Sequence, residues 1–123
     1  MSRKFGLPGK VFLLGPVAGS TDALDPRALT IVRKAEVVLH DETVSAEVLR
    51  EIPTSSTVVS VGRMTPEQIS ERLIAAAEEG KTVVRLKAEV NGTASYTEDE
   101  TKVLREAGIE FEVLSGITAA AAA

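Results

Sequence analysis

Apolar and polar positions alternate along this chain in two distinct patterns. Short and largely apolar runs, which suit buried strands, occupy 10–15, 36–41, 57–62, 81–87 and 109–116. Between them, apolar residues recur every three or four positions, as on one helix face, over 25–35, 45–52, 65–80 and 97–108. The alanine-rich residues 117–123 read as the start of another helix. This alternation predicts an α/β fold, with a mostly parallel five-stranded sheet and helices on both faces.

Helix start and stop signals support this division. TPEQISERLIAAAEEG is the clearest helix, because Thr65 and Gln68 have the spacing of a capping box. Gly80 follows its last turn, where a left-handed glycine commonly ends a helix. Asp25 and Ser45 are predicted to cap the two preceding helices.

Composition excludes several classes of function. The chain has 123 residues, of which 44% are hydrophobic and 26% charged, and this suits a single globular domain over 1–123. A net charge of −4 with scattered Lys and Arg argues against a nucleic-acid partner. With no cysteine and one histidine, we expect no metal site. No apolar run approaches the ~20 residues of a membrane span and no secretory signal is recognisable, so we expect a cytoplasmic protein without membrane contact.

Candidate site residues follow from the predicted parallel sheet. Ligands of such sheets bind beyond the carboxyl ends of the strands. That rule selects the loop segments 15–20, 40–42, 62–64, 88–93 and 115–119.

Residue types in these loops leave two interpretations open at each position. Gly15 and Gly19 suit either a backbone that closely approaches a cofactor or a tight strand-to-helix connection. Asp41 suits either a general base or the cap of a turn. Arg63 suits either an anion contact or an ordinary solvated side chain.

Five stretches together resemble the N-terminal half of the tetrapyrrole methyltransferases, most closely the uroporphyrinogen-III C-methyltransferases. They are GKVFLLG, ALTIVRKAEVVLHDETVSAEVL, VVSVG, EEGKTVVRLK and VLREAGIEFEVLSGITAA. They span residues 9–120 in order, and together they are far more specific than any single motif. The resemblance implies a two-domain homodimeric enzyme that binds S-adenosylmethionine between its domains. Such enzymes transfer the methyl group to a ring carbon of a tetrapyrrole seated over the strand ends.

The resemblance also implies roles for individual residues. The family's strand-end Y-D corresponds to His40-Asp41, which makes Asp41 the proton acceptor. The family's V-G-K becomes Val61-Gly62-Arg63, where Arg63 keeps the cation but loses a transferable proton. The implied cofactor-binding positions are Gly15, Ala18, Gly19, Ala88, Glu89, Val90, Thr93, Thr118 and Ala119.

Two cofactor segments depart from the family pattern. Val17 and Ala18 replace a glycine and a proline in the first loop. Residues 88–91 read AEVN where the family has GGDP. Side chains then occupy positions where glycine lets the backbone approach the cofactor, and Glu89 adds negative charge near the cofactor's carboxylate.

Two hypotheses about function follow. In the first, the chain is one domain of an S-adenosylmethionine-dependent tetrapyrrole C-methyltransferase, lacks the second domain and is inactive by itself. In the second, it is a degenerate, non-catalytic binding or interaction module that keeps the fold. In either case we expect a partner, as a homodimer or as the missing C-terminal domain, because half of a two-domain protein exposes an apolar face.

Overall fold

The computed structural model describes residues 9–17, 25–88 and 98–116. Within these ranges, strands and helices alternate in the order that the apolar pattern predicts. The strands are β1 (Lys10–Val17), β2 (Val37–His40), β3 (Thr57–Ser60), β4 (Thr82–Ala88) and β5 (Glu110–Gly116). The helices are α1 (Pro26–Val32), α2 (Ala46–Leu49), α3 (Pro66–Glu78) and α4 (Glu98–Glu106).

Capping side chains begin α1, α2 and α3, as the sequence predicts. Asp25 accepts a hydrogen bond at 2.9 Å from the backbone N–H two residues on. Ser45 accepts one at 3.3 Å from the N–H three residues on. Thr65 and Gln68 each accept a hydrogen bond from the other's backbone N–H, at 3.2 and 3.0 Å, which completes the capping box. Each cap satisfies donors that the helix leaves open and stabilises it by about 1 kcal/mol.

Glycines turn the chain from the last two helices into the strands that follow them. Gly80 after α3 has φ 84°, and Gly108 after α4 has φ 72°. Both values lie in the left-handed region, where a side chain meets steric resistance. The predicted role of Gly80 in ending its helix is therefore confirmed.

All five strands of this sheet are parallel, in the order β3-β2-β4-β1-β5. β1 lies between β4 and β5, and Lys10 is the register partner of both Thr82 and Glu110. β2 pairs with β3 on one side and with β4 on the other. The predicted α/β fold with a five-stranded sheet is confirmed, and the sheet is wholly rather than mostly parallel.

Helices cover both faces of the sheet, so there are two apolar layers. α1 and α2 pack on one face, where the buried residues include Leu14, Ala28, Val32, Val38, Val48 and Val84. α3 and α4 pack on the other face, where they include Val11, Leu39, Leu73, Ala77, Val83 and Leu104. Branched aliphatic side chains fill both layers, in agreement with an aromatic content of 3%.

Gly15 and Ala88 were predicted in loops, and the structure places both inside strands. β1 continues to Val17, which pairs with Ala88 and Gly116 after a register step beyond Leu14. The proline at position 16 has no N–H to donate to a ladder, and an irregularity of this kind tolerates that loss. The flanking strands β4 and β5 therefore extend β1 beyond the glycine that the sequence suggested as its end.

Two predicted helices are shorter in the structure. α1 ends at Val32 rather than at residue 35, because the N–H groups of Lys34 and Ala35 donate to carbonyls three residues back and tighten the last turn. α2 covers Ala46–Leu49 rather than 45–52. The helix start predicted at 117–123 lies outside the described residues. In the described part of the chain, every helix is too short or too polar to cross a membrane.

Candidate functional site

The carboxyl ends of the strands meet along one edge of the sheet, which has two parts. In the central part, β4, β1 and β5 end at Ala88, Val17 and Gly116, which are register partners. In the lateral part, β2 and β3 end at His40 and Ser60, which are also partners. The predicted catalytic residues follow the lateral strands, whereas the described cofactor candidates lie on the central strands. The parallel fold therefore brings both groups to one edge.

Asp41 follows β2 and is held at this edge by its backbone and by its side chain. Its N–H donates to the carbonyl oxygen of Leu86 at 3.1 Å, which joins the end of β2 to β4. Its Oδ1 accepts a hydrogen bond from Nη2 of Arg85 at 2.7 Å, and the two groups form an ion pair. The Asp41 side chain is 26% exposed. The edge therefore presents a carboxylate in a defined orientation.

The cation of this pair, Arg85, was not identified from the sequence. It lies in β4 between Leu13 and Leu39 of the neighbouring strands and is 5% exposed. Its Nη1 donates to the carbonyl oxygen of Leu86 at 2.7 Å. One signal was available, since Arg85 is the single charged residue within the apolar run VVRL. A buried guanidinium needs a partner of opposite charge, and Asp41 directly follows the adjacent strand β2.

His40 supports the turn that follows β2. It is 9% exposed, and its Nδ1 lies 2.8 Å from the carbonyl oxygen of Asp41. Because a carbonyl only accepts, Nδ1 carries the proton in this contact. A second hydrogen bond connects the ends of β2 and β3, since the N–H of Val61 donates to the His40 carbonyl oxygen at 2.9 Å. Across the described residues, His, Cys, Asp and Glu side chains form no group of three or more that suits a metal ion.

Gly62 and Arg63 follow β3 in the lateral part. The side chain of Glu42 lies against Gly62, in the space that a Cβ at that position would occupy. Arg63 is exposed, and it makes no hydrogen bond or ion pair with any other described residue. The lateral part therefore combines a fixed carboxylate, Asp41, with an exposed guanidinium.

A second ion pair connects β4 to the helix layer. Nζ of Lys87 donates to both carboxylate oxygens of Glu100 in α4, at 3.0 and 3.1 Å. Both residues line an open groove of about 660 Å³ between α3 and α4. Arg85 lines a second, smaller cavity of about 70 Å³, and Glu100 contributes to both. Alternate residues of β4 thus carry cations on the α3–α4 face.

Gly15 and Ala88 are the two cofactor candidates that the structure describes, and they lie on neighbouring strands. Gly15 falls in the register step of β1, so a position without a side chain interrupts the regular ladders there. A glycine at such a step lets another group approach the backbone closely. The remaining candidates lie outside the described residues: Ala18, Gly19, Glu89, Val90, Thr93, Thr118 and Ala119.

Comparison with known protein sequences connects this geometry to one family. Residues 10–123 match the model of the Tetrapyrrole (Corrin/Porphyrin) Methylases. The chain is 37% identical over 120 residues to the S-adenosyl-L-methionine-dependent uroporphyrinogen III methyltransferase of Methanosarcina barkeri, covering 93% of this chain and 47% of that protein. It is 35% identical over 121 residues to the uroporphyrinogen-III C-methyltransferase of Bacillus subtilis, with coverages of 94% and 47%. The chain thus spans about half the length of these curated relatives.

Solved structures give the same result. Uroporphyrin-III-C-methyltransferase from Thermus thermophilus superposes with a TM-score of 0.77 at 41% identity, covering 89% of this chain and 48% of that one. A uroporphyrin-III C-methyl transferase from the same organism, complexed with S-adenyl homocysteine, superposes with a TM-score of 0.75 at 32% identity, with coverages of 89% and 49%.

Proposed function

Because this chain belongs to the tetrapyrrole (corrin/porphyrin) methylase family, we propose that it forms one wall of an S-adenosylmethionine-dependent C-methyltransferase site. The substrate class is a uroporphyrinogen-III-like tetrapyrrole. The carboxyl edge carries this proposal, because Asp41 is fixed there beside the strands that hold Gly15 and Ala88. Relatives that match along about half their length are named for this activity, which supports the choice of substrate class.

In this proposal the lateral part of the edge handles the substrate. When a ring carbon gains the methyl group, the macrocycle gains a positive charge, and Asp41 accepts the proton that the macrocycle then loses from a neighbouring position. Its carboxylate is already oriented by Arg85, so little reorganisation is needed at the moment of reaction. Arg63 binds carboxylate groups of the tetrapyrrole, since it is exposed and always charged.

The central part of the edge then takes the cofactor. S-adenosylmethionine supplies the methyl group from its sulfonium when it is bound. Gly15 fits the close approach of such a ligand because it has no side chain at the register step. The other proposed contacts are Ala18, Gly19, Ala88, Glu89, Val90, Thr93, Thr118 and Ala119.

We propose further that the 123-residue chain does not methylate by itself. The chain matches about half of the length of its relatives. A cofactor that is held between two domains loses the contacts of the other domain when only one is present. Each 1.4 kcal/mol of lost contact free energy weakens binding by about tenfold. A loss of about 4 kcal/mol, which corresponds to about three to four hydrogen bonds, therefore brings a micromolar site into the millimolar range.

Calorimetry on the full chain tests the binding part of this proposal. S-adenosylmethionine is titrated into the chain, and methyl transfer to uroporphyrinogen III is assayed in parallel with labelled cofactor. We expect a dissociation constant of about 1 mM or weaker and no methylated product. Turnover by the chain alone would contradict the proposed dependence on a second domain.

A joined protein tests the catalytic part. Residues 10–123 replace the segment of the Thermus thermophilus uroporphyrin-III-C-methyltransferase on which this chain superposes. We expect methyl transfer to uroporphyrinogen III, and a loss of about 100-fold or more in kcat when Asp41→Asn is introduced. A joined protein that binds S-adenosylmethionine at micromolar concentration but transfers no methyl group would overturn the assignment.

A non-catalytic binding or interaction module is the second candidate function. The sequence AEVN at 88–91 favours it, because side chains replace the glycines of the family's GGDP. For this candidate we expect the joined protein to fold, yet to bind S-adenosylmethionine no better than the chain alone. Restoring GGDP at 88–91 in the joined protein is the matched control, and recovery of binding would trace the loss to those four residues.

Self-association of this chain as a homodimer also remains a proposal. Val58 on β3 and Val113 on β5 are 46% and 48% exposed. These are the two outermost strands of the sheet, so each of them presents an apolar side chain to solvent. Light scattering over a concentration series measures the mass directly, and a monomer at the highest concentration would contradict the proposal. The cytoplasmic location stays a prediction from the sequence.

A further inference from the structure

Arg85 is a buried cation within an otherwise apolar strand. Its register neighbours Leu13 and Leu39 are 2% and 1% exposed, and Arg85 itself is 5% exposed. A leucine or methionine would fill this position without the desolvation that a guanidinium suffers. Replacing a buried ion pair by apolar residues of similar size is often neutral or stabilising, so the pair is weak evidence for a role in stability. The presence of Arg85 therefore suggests another role.

Among the described residues, the guanidinium of Arg85 donates hydrogen bonds in two different directions. Nη1 donates to the carbonyl oxygen of Leu86, which anchors the group to its own strand. Nη2 donates to Oδ1 of Asp41, on the turn after the neighbouring strand. The backbone N–H of Asp41 donates to the same Leu86 carbonyl oxygen, so two donors converge on one acceptor. This arrangement sets the position of the Asp41 carboxylate relative to β4.

Exposure separates the roles of the two partners. The Asp41 side chain is 26% exposed and the Arg85 side chain is 6% exposed. A ligand at the carboxyl edge can therefore reach Asp41 while Arg85 lies behind it. We propose that Arg85 is a positioning residue, which acts on the reaction only by holding the Asp41 carboxylate in its reactive orientation. This inference rests on the proposed function of Asp41 as the proton acceptor.

Lys87 offers a matched control on the same strand and face. It lies two residues beyond Arg85 and pairs with Glu100 in α4 rather than with Asp41. Lys87→Met therefore removes a cation from the same part of β4 without removing the partner of Asp41. Arg85→Met removes that partner, and Arg85→Lys restores the charge without the planar fork of the guanidinium.

The first measurement uses NMR on the full chain and needs neither cofactor nor substrate. Three-bond couplings about χ1 of Asp41 report whether its side chain keeps one rotamer. We expect one rotamer in the unmodified chain and in Lys87→Met, averaged couplings in Arg85→Met, and partial recovery in Arg85→Lys. A single Asp41 rotamer in Arg85→Met would overturn the proposal. Should Arg85→Met fail to fold, the NMR signals of the Arg85 Nη protons in the unmodified chain test whether the guanidinium is held in place. Separate, slowly exchanging signals support the proposal, and one signal that exchanges freely with water overturns it.

The second measurement distinguishes positioning from a purely structural role. In the joined protein described above, Arg85→Met is expected to lower kcat by about 10- to 100-fold while KM changes less than about twofold. Lys87→Met is expected to leave both constants within about twofold. Equal losses in the two variants would assign Arg85 a structural role only. If the unmodified joined protein transfers no methyl group, the proposed function fails, and the NMR result still decides whether Arg85 positions Asp41.

Discussion

At the amino edge of the sheet, Lys10 lies 3.5 Å from Glu110 and 3.1 Å from Glu112. Arg27 also pairs with Glu112, at 2.6 Å. Water reaches these charges, because the side chains of Glu112, Lys10 and Glu110 are 27%, 32% and 70% exposed. At the carboxyl edge, the main ion pair is Arg85 with Asp41, and the Arg85 side chain is 6% exposed.

This difference concerns the cost of losing a partner. Exposed pairs contribute about 0–1 kcal/mol each, and water replaces a lost partner easily. A buried guanidinium that loses its carboxylate keeps its charge in an apolar layer without the opposite charge that balanced it, which costs about 3–5 kcal/mol. The amino edge therefore tolerates charge changes, whereas the carboxyl edge depends on one carboxylate that is also the proposed proton acceptor.

Removing the carboxylate at the carboxyl edge is expected to have the largest effect. Asp41→Ala leaves the Arg85 guanidinium buried without this acceptor, and we expect the free energy of unfolding to fall by about 3 kcal/mol. Urea denaturation followed by circular dichroism measures the change. The double variant Arg85→Met with Asp41→Ala is the control, and it should recover most of the loss because the buried guanidinium is removed together with its carboxylate. A double variant as unstable as Asp41→Ala would refute this explanation.

For glycine substitutions the comparison is reversed, because an added side chain is tolerated less well at the amino edge than at the carboxyl edge. The Gly9 N–H donates to the Ala77 carbonyl oxygen at 2.6 Å, and a Cβ on Gly9 would overlap the backbone of Lys81. We expect Gly9→Ala to lower the free energy of unfolding by about 2 kcal/mol. At the carboxyl edge, the atoms nearest to a Cβ on Gly62 belong to the flexible side chain of Glu42, so we expect Gly62→Ala to cost less than about 1 kcal/mol. Equal losses in urea denaturation would remove this contrast.

The smallest expected effect concerns pH at the amino edge. The hydrogen bond from Lys10, and then the charge of Arg27, hold the pKa of Glu112 below its usual value. The pKa of Lys10 is raised in turn, chiefly by its hydrogen bond to Glu112. The contribution of Glu112 to stability is therefore present above about pH 4.5 and is lost as the pH falls through the pKa of the folded state. That of Lys10 is present below about pH 10.5 and is lost as the pH rises through its raised pKa.

Glu112→Gln removes the carboxylate that makes stability depend on pH under acidic conditions. Melting temperatures of the variant and the unmodified chain should differ at neutral pH and converge as the solution is acidified. Arg27→Met is the control, because it leaves the hydrogen bond between Lys10 and Glu112 in place. The melting temperatures of Arg27→Met and Glu112→Gln should therefore still converge in part on acidification. A difference that stays constant down to pH 2 would contradict the assignment of the shift to Lys10.

The sequence was most informative where local chemistry decides the structure. Caps at Asp25, Ser45 and Thr65 and the glycine at 80 lie where predicted, because each acts within four residues of its own position. Strand ends were less predictable. Gly15 suggested the end of β1, but pairing with two flanking strands carries β1 on to Val17.

Predictability differs within the candidate site as well. Asp41 and Arg63 follow strands at the carboxyl edge, where the general rule for parallel sheets and the family resemblance both placed them. Arg85 was missed because its significance lies in a contact with Asp41, which is 44 positions away in the sequence. Roles for Ala18, Gly19, Glu89, Val90, Thr93, Thr118 and Ala119 stay predictions, since these residues lie outside the described ranges.

The position of β1 between β4 and β5 has a consequence for how the chain folds. β2 and β3 pair through nearby residues, Val37 with Thr57, so the lateral part of the edge can assemble early in synthesis. The apolar strand β1 is made before the other four strands, and its partners at Thr82 and Glu110 leave the ribosome much later. The central part therefore closes last, after a long loop search that slows folding and leaves β1 open to wrong pairing or chaperone binding until then.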